Sequence, residues 1–226
     1  MKHKTSTRCV LFDLDGTLAD TAPDLGAALN RVLMEEGHPP LPLEATRPVT
    51  SQGVRGLLRV GLKLEPEHPE YQAHAQRVLS HYTAAICELT RLFDGMDQVL
   101  ATLESSGIKW GIVTNKHTRF TEPLVSALGL TERAACVISG DTASHPKPHP
   151  APLILACDRA GVPAAQTVYV GDDIRDIQAG RAAGMRTIAA AWGYLGEGEP
   201  IHRWGADAIV SDPSGLLGAL SHEHVQ

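Results

Sequence analysis

The stretch from residue 8 to residue 20, RCVLFDLDGTLAD, most constrains the fold, because two carboxylates directly follow a short apolar run. Residues 9–12 are continuously apolar, which is typical of a strand buried on both faces in a parallel sheet. Side chains two positions apart on a strand share a face, so we expect Asp13 and Asp15 to project together. Open α/β sheets bind ligands at the carboxyl ends of their strands. The stretch therefore predicts an α/β fold with a paired-acid site after its first strand.

The two carboxylates require a partner, because neighbouring ionised acids repel each other. Either a cation keeps both ionised, or one carries a proton at neutral pH. A calcium loop would continue with further acidic or amide ligands, whereas Thr17-Leu18-Ala19 follows here. A plain Asp-Gly turn is the remaining alternative from this stretch alone.

Beyond residue 92 the sequence alternates helix and strand patterns, which indicates a parallel sheet. We expect strands near residues 110–113, 135–138, 167–170, 187–191 and 208–210. Residues 21–92, in contrast, show helical patterns only, and they are too many for a simple crossover. We therefore expect a core domain of residues 1–20 and 93–226, with residues 21–92 forming a helical cap domain over the paired acids.

Two later positions carry groups suited to an anion. Thr114 and Asn115 follow a strand and precede a helix, where free backbone N–H groups favour negative charge. The same residues are also ordinary helix caps, and the sequence leaves both interpretations open. Lys147 lies between prolines that fix its loop, so its ammonium could balance a carboxylate and a phosphate. A solvated surface lysine is the alternative.

The segment from Gly171 to Asp176, GDDIRD, places three acids after an apolar strand. Such a concentration of carboxylates is costly in a buried position unless a cation is present. Acids at a helix N-terminus also interact favourably with the helix dipole, and this reading fits Asp173 or Asp176.

The four sites together resemble, in order, the four motifs of the haloacid dehalogenase-like superfamily. Within it, the chain is similar to the phosphoglycolate phosphatase group and to bacterial N-acetylmuramic acid 6-phosphate phosphatases. The second likeness lies in Ser51-x-Gly53-x-Arg55, in Arg119-Phe120 and in residues 204–207.

The resemblance implies a Rossmann-like core with a parallel sheet and a helical cap inserted after the first strand. It implies a phosphatase in which Asp13 is the nucleophile and forms an aspartyl-phosphate. Asp15 would be the general acid and base, and Lys147 would neutralise charge on Asp13 and on the transferring group. Dehalogenases of the superfamily lack the second Asp, so Asp15 points to phosphate esters.

The resemblance also implies the ligands of a phosphate group and of Mg²⁺. The expected phosphate ligands are Gly16, Thr17, Thr114, Asn115 and Lys147. The expected Mg²⁺ ligands are Asp13, the backbone carbonyl of Asp15, and Asp172, with Asp173 as a further candidate.

Specificity is expected to come from the cap. Arg55 is suited to a bidentate contact with a substrate carboxylate, with Gln52 and Gly53 beside it; a surface arginine is the alternative. We expect a phosphoglycolate phosphatase-like activity on small carboxylated phosphate esters. The alternatives are an N-acetylmuramic acid 6-phosphate phosphatase, a sugar phosphomutase and a non-catalytic binding module.

Composition narrows the partners. The chain has 226 residues and a net charge of −6 without a basic cluster, which argues against nucleic acid. Its four cysteines lack paired spacing, which suits a reducing compartment. No apolar run approaches a membrane span. We expect a cytoplasmic monomer or homodimer that acts on a small-molecule phosphate ester.

Overall fold

The computed structural model describes residues 6–196 and 198–221, and a parallel sheet lies at its centre. Six of the eight strands in the described residues form this sheet, in the order β5-β4-β1-β6-β7-β8. The strands are β1 (Cys9–Phe12), β2 (Ala19–Asp20), β3 (Arg91–Leu92), β4 (Lys109–Val113), β5 (Val137–Ile138), β6 (Thr167–Gly171), β7 (Arg186–Ala190) and β8 (Ala208–Val210).

Strand β1 is the strand around which the sheet is built, since it pairs in parallel with β4 on one side and β6 on the other. Its four residues are fully buried. Val10 and Phe12 enter the apolar cluster on one face of the sheet, and Cys9 and Leu11 enter the cluster on the other face. The prediction of a doubly covered parallel strand is confirmed.

Helices cover both faces of the sheet and form the segment after β2. The α-helices are α1 (Ala22–Glu35), α2 (Leu43–Thr46), α3 (Gly53–Leu62), α4 (Tyr71–Ala84), α5 (Met96–Ser105), α6 (Thr118–Ala127), α7 (Ala151–Ala160), α8 (Ile174–Ala182) and α9 (Leu216–Ser221). Helix α5 supplies Val99 and Leu100 to the cluster that holds Val10, whereas α7 supplies Leu153 to the cluster on the opposite face.

The segment between β2 and β3 is helical and has an apolar cluster of its own, formed by residues of α1, α3 and α4. Helix α6 of the sheet region adds Phe120 to this cluster, and the ring of Phe120 lies 5.8 Å from that of Tyr82. Strands β2 and β3 pair antiparallel, with Ala19 opposite Leu92. Both ends of the helical segment thus pass through the two-stranded ribbon of β2 and β3. Phe120 of α6 packs against the apolar cluster of the segment.

Element boundaries differ from the sequence pattern in three places. The helical pattern that begins near residue 70 continues to about residue 89, but α4 ends at Ala84, because Ala85 leaves helical backbone angles with φ −141°. Residues 43–52 form α2 and the 3₁₀ helix Arg47–Gln52, which are too short for the sequence pattern to mark as helices. The ribbon was not predicted, because strands of two residues carry no periodicity.

None of the helices within residues 6–196 and 198–221 is both long enough and apolar enough to cross a membrane.

Candidate active site

The ends of three adjacent strands bring the candidate residues together. Asp13 follows β1, Thr114 follows β4 and Asp172 follows β6, and β1 pairs with both of the other strands. Because the three strands are parallel, their carboxyl ends meet at one edge of the sheet. The topology thus brings the three motifs to one edge of the sheet.

Lys147 lies at the centre of this edge and is almost completely buried. Its Nζ lies 2.9 Å from Asp13 Oδ1 and 2.7 Å from Asp176 Oδ1. It also donates to the hydroxyl of Tyr169 at 2.8 Å and to the carbonyl of Val113 at 3.0 Å. Burial favours the neutral amine, but Asp13 and Asp176 outweigh this effect, and the pKa of Lys147 is raised. Lys147 is therefore a fixed positive charge beside Asp13.

Asn115 positions the loop that carries this lysine. Its side-chain amide donates to the carbonyl of Lys147 and accepts from the backbone N–H of Lys147, each at 2.9 Å. These reciprocal bonds connect the end of β4 to the proline-rich loop, so Asn115 fixes the position from which the ammonium reaches Asp13.

Three carboxylates form a cluster beside Lys147. One oxygen each from Asp13, Asp172 and Asp176 lies within 4.8 Å of the others. Burial, with smaller contributions from Asp176 and Asp15, raises the pKa of Asp13 to about 7 against the attraction of Lys147. Burial, then Asp13 and Asp176, raises the pKa of Asp172 well above its usual range. An all-oxygen set of mutually repelling acids could hold a divalent cation, and it fits Mg²⁺.

The orientation of Asp172 is fixed by its neighbours. Its two oxygens accept from the hydroxyl of Thr17 at 2.7 Å and from the backbone N–H of Tyr194 at 2.8 Å. Gly16 has a φ of +85°, and a Cβ there would lie 2.2 Å from Asp172 Oδ2. Only glycine allows the turn after Asp15 to pass this close to the acid cluster.

Asp15 is held separately from the acid cluster. Its Oδ1 accepts from Thr21 Oγ1 at 2.6 Å and from Lys116 Nζ at 2.8 Å. Lys116 was not predicted as a site residue, although it directly follows Thr114-Asn115 in the sequence.

Asp173 and Asp176 divide the two roles that the sequence left open. Asp173 caps α8 by accepting from the backbone N–H of Arg175, and it also pairs with the Arg175 side chain at 2.8 Å. Asp176 accepts from the backbone N–H of Asp173 at 3.1 Å, and its carboxylate also belongs to the acid cluster. Asp172 and Asp176, the first and last acids of GDDIRD, thus lie together in the acid cluster, although Asp172 precedes the N-cap of α8.

A cavity of about 390 Å³ opens over these groups. Its polar floor is formed by Asp13, Asp15, Thr114, Asn115 and Lys147. Its opposite wall comes from the helical segment and from α6, through Leu25, Val54, Leu79, Tyr82 and Phe120. The site is therefore bounded by both parts of the chain.

The remaining sequence-predicted residues fall into three groups. Gln52, Gly53 and Asp173 line the cavity. Gly16, Thr17 and Asp172 lie behind its lining, and the contacts described above link them to one another. Arg55 is not brought to the cavity, because its exposed side chain pairs with Glu65 at 3.3 Å. Four residues that contact the candidate site were missed, namely Lys116, Tyr169, Asp176 and Tyr194.

The fold and the site define an α/β protein whose acid cluster and buried lysine lie at the carboxyl edge of a parallel sheet. The chain belongs to the haloacid dehalogenase-like hydrolase family, whose family model matches residues 10–190. It is thus a hydrolase, and its similar relatives are phosphatases.

Two curated relatives match almost the whole chain. A phosphoglycolate phosphatase of Xanthomonas campestris pv. campestris is 47% identical over 210 residues, which cover 92% of this chain and 94% of the relative. An N-acetylmuramic acid 6-phosphate phosphatase of Pseudomonas aeruginosa is 40% identical over 214 residues, which cover 94% of each chain. A crystal structure described as a predicted phosphoglycolate phosphatase from Haemophilus somnus superposes with a TM-score of 0.82 at 26% identity, covering 96% of this chain and 99% of that one.

Proposed function

We propose that this chain is an Mg²⁺-dependent phosphomonoester hydrolase that acts through an aspartyl-phosphate at Asp13. The observation that carries this proposal is the position of the Asp13 carboxylate, which contacts Lys147 and belongs to the same acid cluster as Asp172 and Asp176. A carboxylate in such a position can attack phosphorus while the positive charge beside it offsets the negative charge of the phosphoryl group.

The reaction has two steps. In the first, an oxygen of Asp13 forms a bond to phosphorus, the bond from phosphorus to the ester oxygen breaks, and Asp15 protonates the departing alcohol. In the second, Asp15 takes a proton from water, the water oxygen attacks phosphorus, and the bond to Asp13 breaks with release of phosphate. Asp15 therefore returns to its starting protonation state.

The residues that would hold Mg²⁺ are Asp13 and Asp172, with the backbone carbonyl of Asp15 and with Asp176 as direct or water-mediated ligand. Asp173 is the weaker candidate, because its carboxylate pairs with Arg175. When bound, Mg²⁺ offsets negative charge on the phosphoryl oxygens and on the carboxylates around them.

The phosphate group would lie between Asp13 and the end of β4. Thr114 and Lys147 line the cavity there and supply a hydroxyl and an ammonium. Asn115 contributes through its hold on Lys147, and Thr17 would contribute through its backbone N–H. The backbone N–H of Gly16 instead donates to the carbonyl of Ala19 at 3.0 Å, so Gly16 shapes the turn. The helical segment of residues 21–92 would act as a cap domain, since its Ser51 carbonyl already accepts from Arg175 of α8 at 2.9 Å.

The substrate that we favour is a small carboxylated phosphate ester such as 2-phosphoglycolate, in line with the Xanthomonas relative. Arg119 is the cation available for its carboxylate, because Arg119 lines the cavity and forms no ion pair within the described residues. Its guanidinium lies 4.6 Å from the centre of the Phe120 ring. Arg55, the residue favoured by the sequence, points away from the cavity.

The size and lining of the cavity favour a second candidate. About 390 Å³ with an apolar wall that includes Tyr82 and Phe120 offers more room than a two-carbon acid needs. N-acetylmuramic acid 6-phosphate also carries a carboxylate beside a phosphomonoester, and the Pseudomonas relative bears its name.

The test is phosphate release from 2-phosphoglycolate, N-acetylmuramic acid 6-phosphate and plain sugar phosphates, with Mg²⁺ and with EDTA. Faster phosphate release from one carboxylated ester with Mg²⁺, and no release in EDTA, supports the proposal and identifies the preferred substrate. Conversion of a sugar phosphate into an isomer without phosphate release would instead indicate a phosphomutase. No Mg²⁺-dependent release from any ester would contradict the proposal and favour a binding module.

A further inference from the structure

The carboxylate of Asp15 is anchored through one oxygen. Thr21 and Lys116 both donate to Oδ1, at 2.6 and 2.8 Å. Within residues 6–196 and 198–221, no group donates a hydrogen bond to Oδ2, and Asp15 lines the cavity. A carboxylate fixed at one oxygen has a defined direction for the other, which is the requirement for proton transfer to a bound ester.

Lys116 is enclosed rather than solvated. Its side chain is 9% exposed, although it lies next to an open cavity. Its Nζ lies 4.8 Å from the centre of the Tyr82 ring. The ammonium is therefore held between a carboxylate of the core and an aromatic ring of the helical segment.

The hydroxyl of Tyr82 takes no part in the contact with Lys116. Its side chain is buried, and its hydroxyl forms no hydrogen bond within the described chain. A buried hydroxyl without a partner normally costs stability, so what Tyr82 contributes here is the ring. The centre of the Tyr82 ring lies 5.8 Å from that of Phe120. The ring of Tyr82 also contacts the ammonium of Lys116.

We propose that Lys116 is a positioning residue for Asp15, and that Tyr82 of the helical segment keeps Lys116 in that position. The inference rests on the proposed function, since it assigns Asp15 to proton transfer. Lys116 and Thr21 together fix Oδ1 of Asp15, so that Oδ2 of Asp15 faces the ester oxygen of a bound substrate. Displacement of α4 would remove the ring from Lys116 and loosen the acid, which links seating of the helical segment to the proton-transfer step.

The test compares two esters that differ in their need for an acid. An alkyl phosphate requires a proton on its leaving oxygen, whereas p-nitrophenyl phosphate releases a stable phenolate without one. The quantity measured is the ratio of kcat/KM for the alkyl ester to kcat/KM for the aryl ester, because kcat/KM covers the steps through departure of the alcohol. Lys116→Met should lower this ratio at least about tenfold, since acid catalysis contributes roughly 10²–10⁴-fold.

Two matched pairs separate positioning from a structural role. Lys116→Arg retains a cation and should recover much of the ratio lost in Lys116→Met. Tyr82→Leu removes the ring and should lower the ratio in the same direction by a smaller factor. Tyr82→Phe retains the ring and should keep the ratio within about twofold of the wild type, because the hydroxyl has no partner to lose.

If Lys116→Met and Tyr82→Leu each lower kcat/KM equally for the alkyl and the aryl ester, the inference is overturned, because equal losses indicate general damage to the site. A change confined to KM would also overturn it and make Lys116 a substrate-binding cation. If Lys116→Met does not fold, the Tyr82 pair alone decides the question, since both variants retain Lys116. A wild type inactive on both esters would overturn the proposed function itself and, with it, this inference.

Discussion

The ammonium of Lys147 lies 2.9 Å from the carboxylate of Asp13, and both groups are carried by the core rather than by the helical segment. The same nitrogen lies 2.7 Å from Asp176, so one buried cation serves two of the three clustered acids. Charge balance in the candidate site therefore depends on Lys147 even without substrate.

Lys147→Met should lower kcat by at least about 100-fold, which is the usual cost of removing a charge aimed at the transition state. It should also destabilise the fold by about 3–5 kcal/mol, because Asp13 and Asp176 lose their buried partner. Steady-state kinetics and denaturant unfolding measure the two effects. Lys109→Met is the matched control, since Lys109 donates to the carbonyl of Ala160 and lies on an exposed strand end. Similar kcat values for both variants would contradict the role of Lys147.

Asp176→Asn and Asp173→Asn should differ although the residues lie three positions apart. Asp176→Asn removes a charge from the acid cluster and should weaken Mg²⁺ activation at least about tenfold, the lower range for groups around a metal. Asp173→Asn keeps a helix-capping side chain and should change Mg²⁺ activation little. Titration of activity with Mg²⁺ measures both. The reverse order of effects would make Asp173 the metal ligand.

The stabilisation by Mg²⁺ should grow with pH. The pKa of Asp13 rises from an ordinary value of 3.8 to about 7 on folding. Between these values the native state retains a proton that the unfolded chain has released, so the contribution of Asp13 to the free energy of unfolding decreases as pH rises. The raised pKa of Asp172 acts in the same direction.

A divalent cation binds the ionised carboxylates and relieves this repulsion. The increase in Tm caused by Mg²⁺ over EDTA should therefore be larger at pH 8 than at pH 5. Thermal unfolding at both pH values measures it, and Asp172→Asn should reduce the difference. An equal or smaller increase at pH 8 would show that these acids do not bind the metal.

Much of the fold and part of the site could be predicted from sequence. The strands end in motifs whose residue types are unusual in a strand, so Asp13, Thr114 and Asp172 were each predicted to follow a strand of the sheet. Helix-dipole reasoning favoured a capping role for Asp176 as much as for Asp173, and both residues cap α8 in a reciprocal capping box. Only the position of the Asp176 carboxylate in the acid cluster separates them. The ribbon escaped prediction because its strands have two residues each.

The contacts that hold the site could not be predicted, because they join distant parts of the chain. Tyr194 reaches Asp172, Asn115 reaches the backbone of Lys147, and Tyr82 covers Lys116. No local pattern marks such pairs. The role of Arg55 stays a prediction. Its chemistry suggested a carboxylate partner, and the partner that the structure shows is Glu65, ten residues away.

Arg119→Ala should raise KM for a carboxylated phosphate ester about tenfold or more, since it removes a charged contact worth roughly 1.5–3 kcal/mol. It should change KM for an ester without a carboxylate much less. Arg55→Ala is the matched control and should leave both KM values within about twofold, because an exposed ion pair contributes little. Initial-rate kinetics on both esters decide the assignment, and a specific effect of Arg55→Ala alone would return the carboxylate contact to Arg55.

The most direct test of the account is detection of phosphate bound covalently to Asp13. p-Nitrophenyl phosphate, whose phenolate leaves without a proton from Asp15, is added with Mg²⁺ to the Asp15→Asn variant. This variant should retain the intermediate because the base for its hydrolysis is missing, and the mixture is quenched with acid. Borohydride then reduces an aspartyl-phosphate to homoserine, which is located by peptide mass spectrometry. The account predicts homoserine at position 13, formed only with substrate. It should be absent when the variant carries Asp13→Asn as a second substitution. Modification at another residue, or turnover by Asp13→Asn at the wild-type rate, would contradict it.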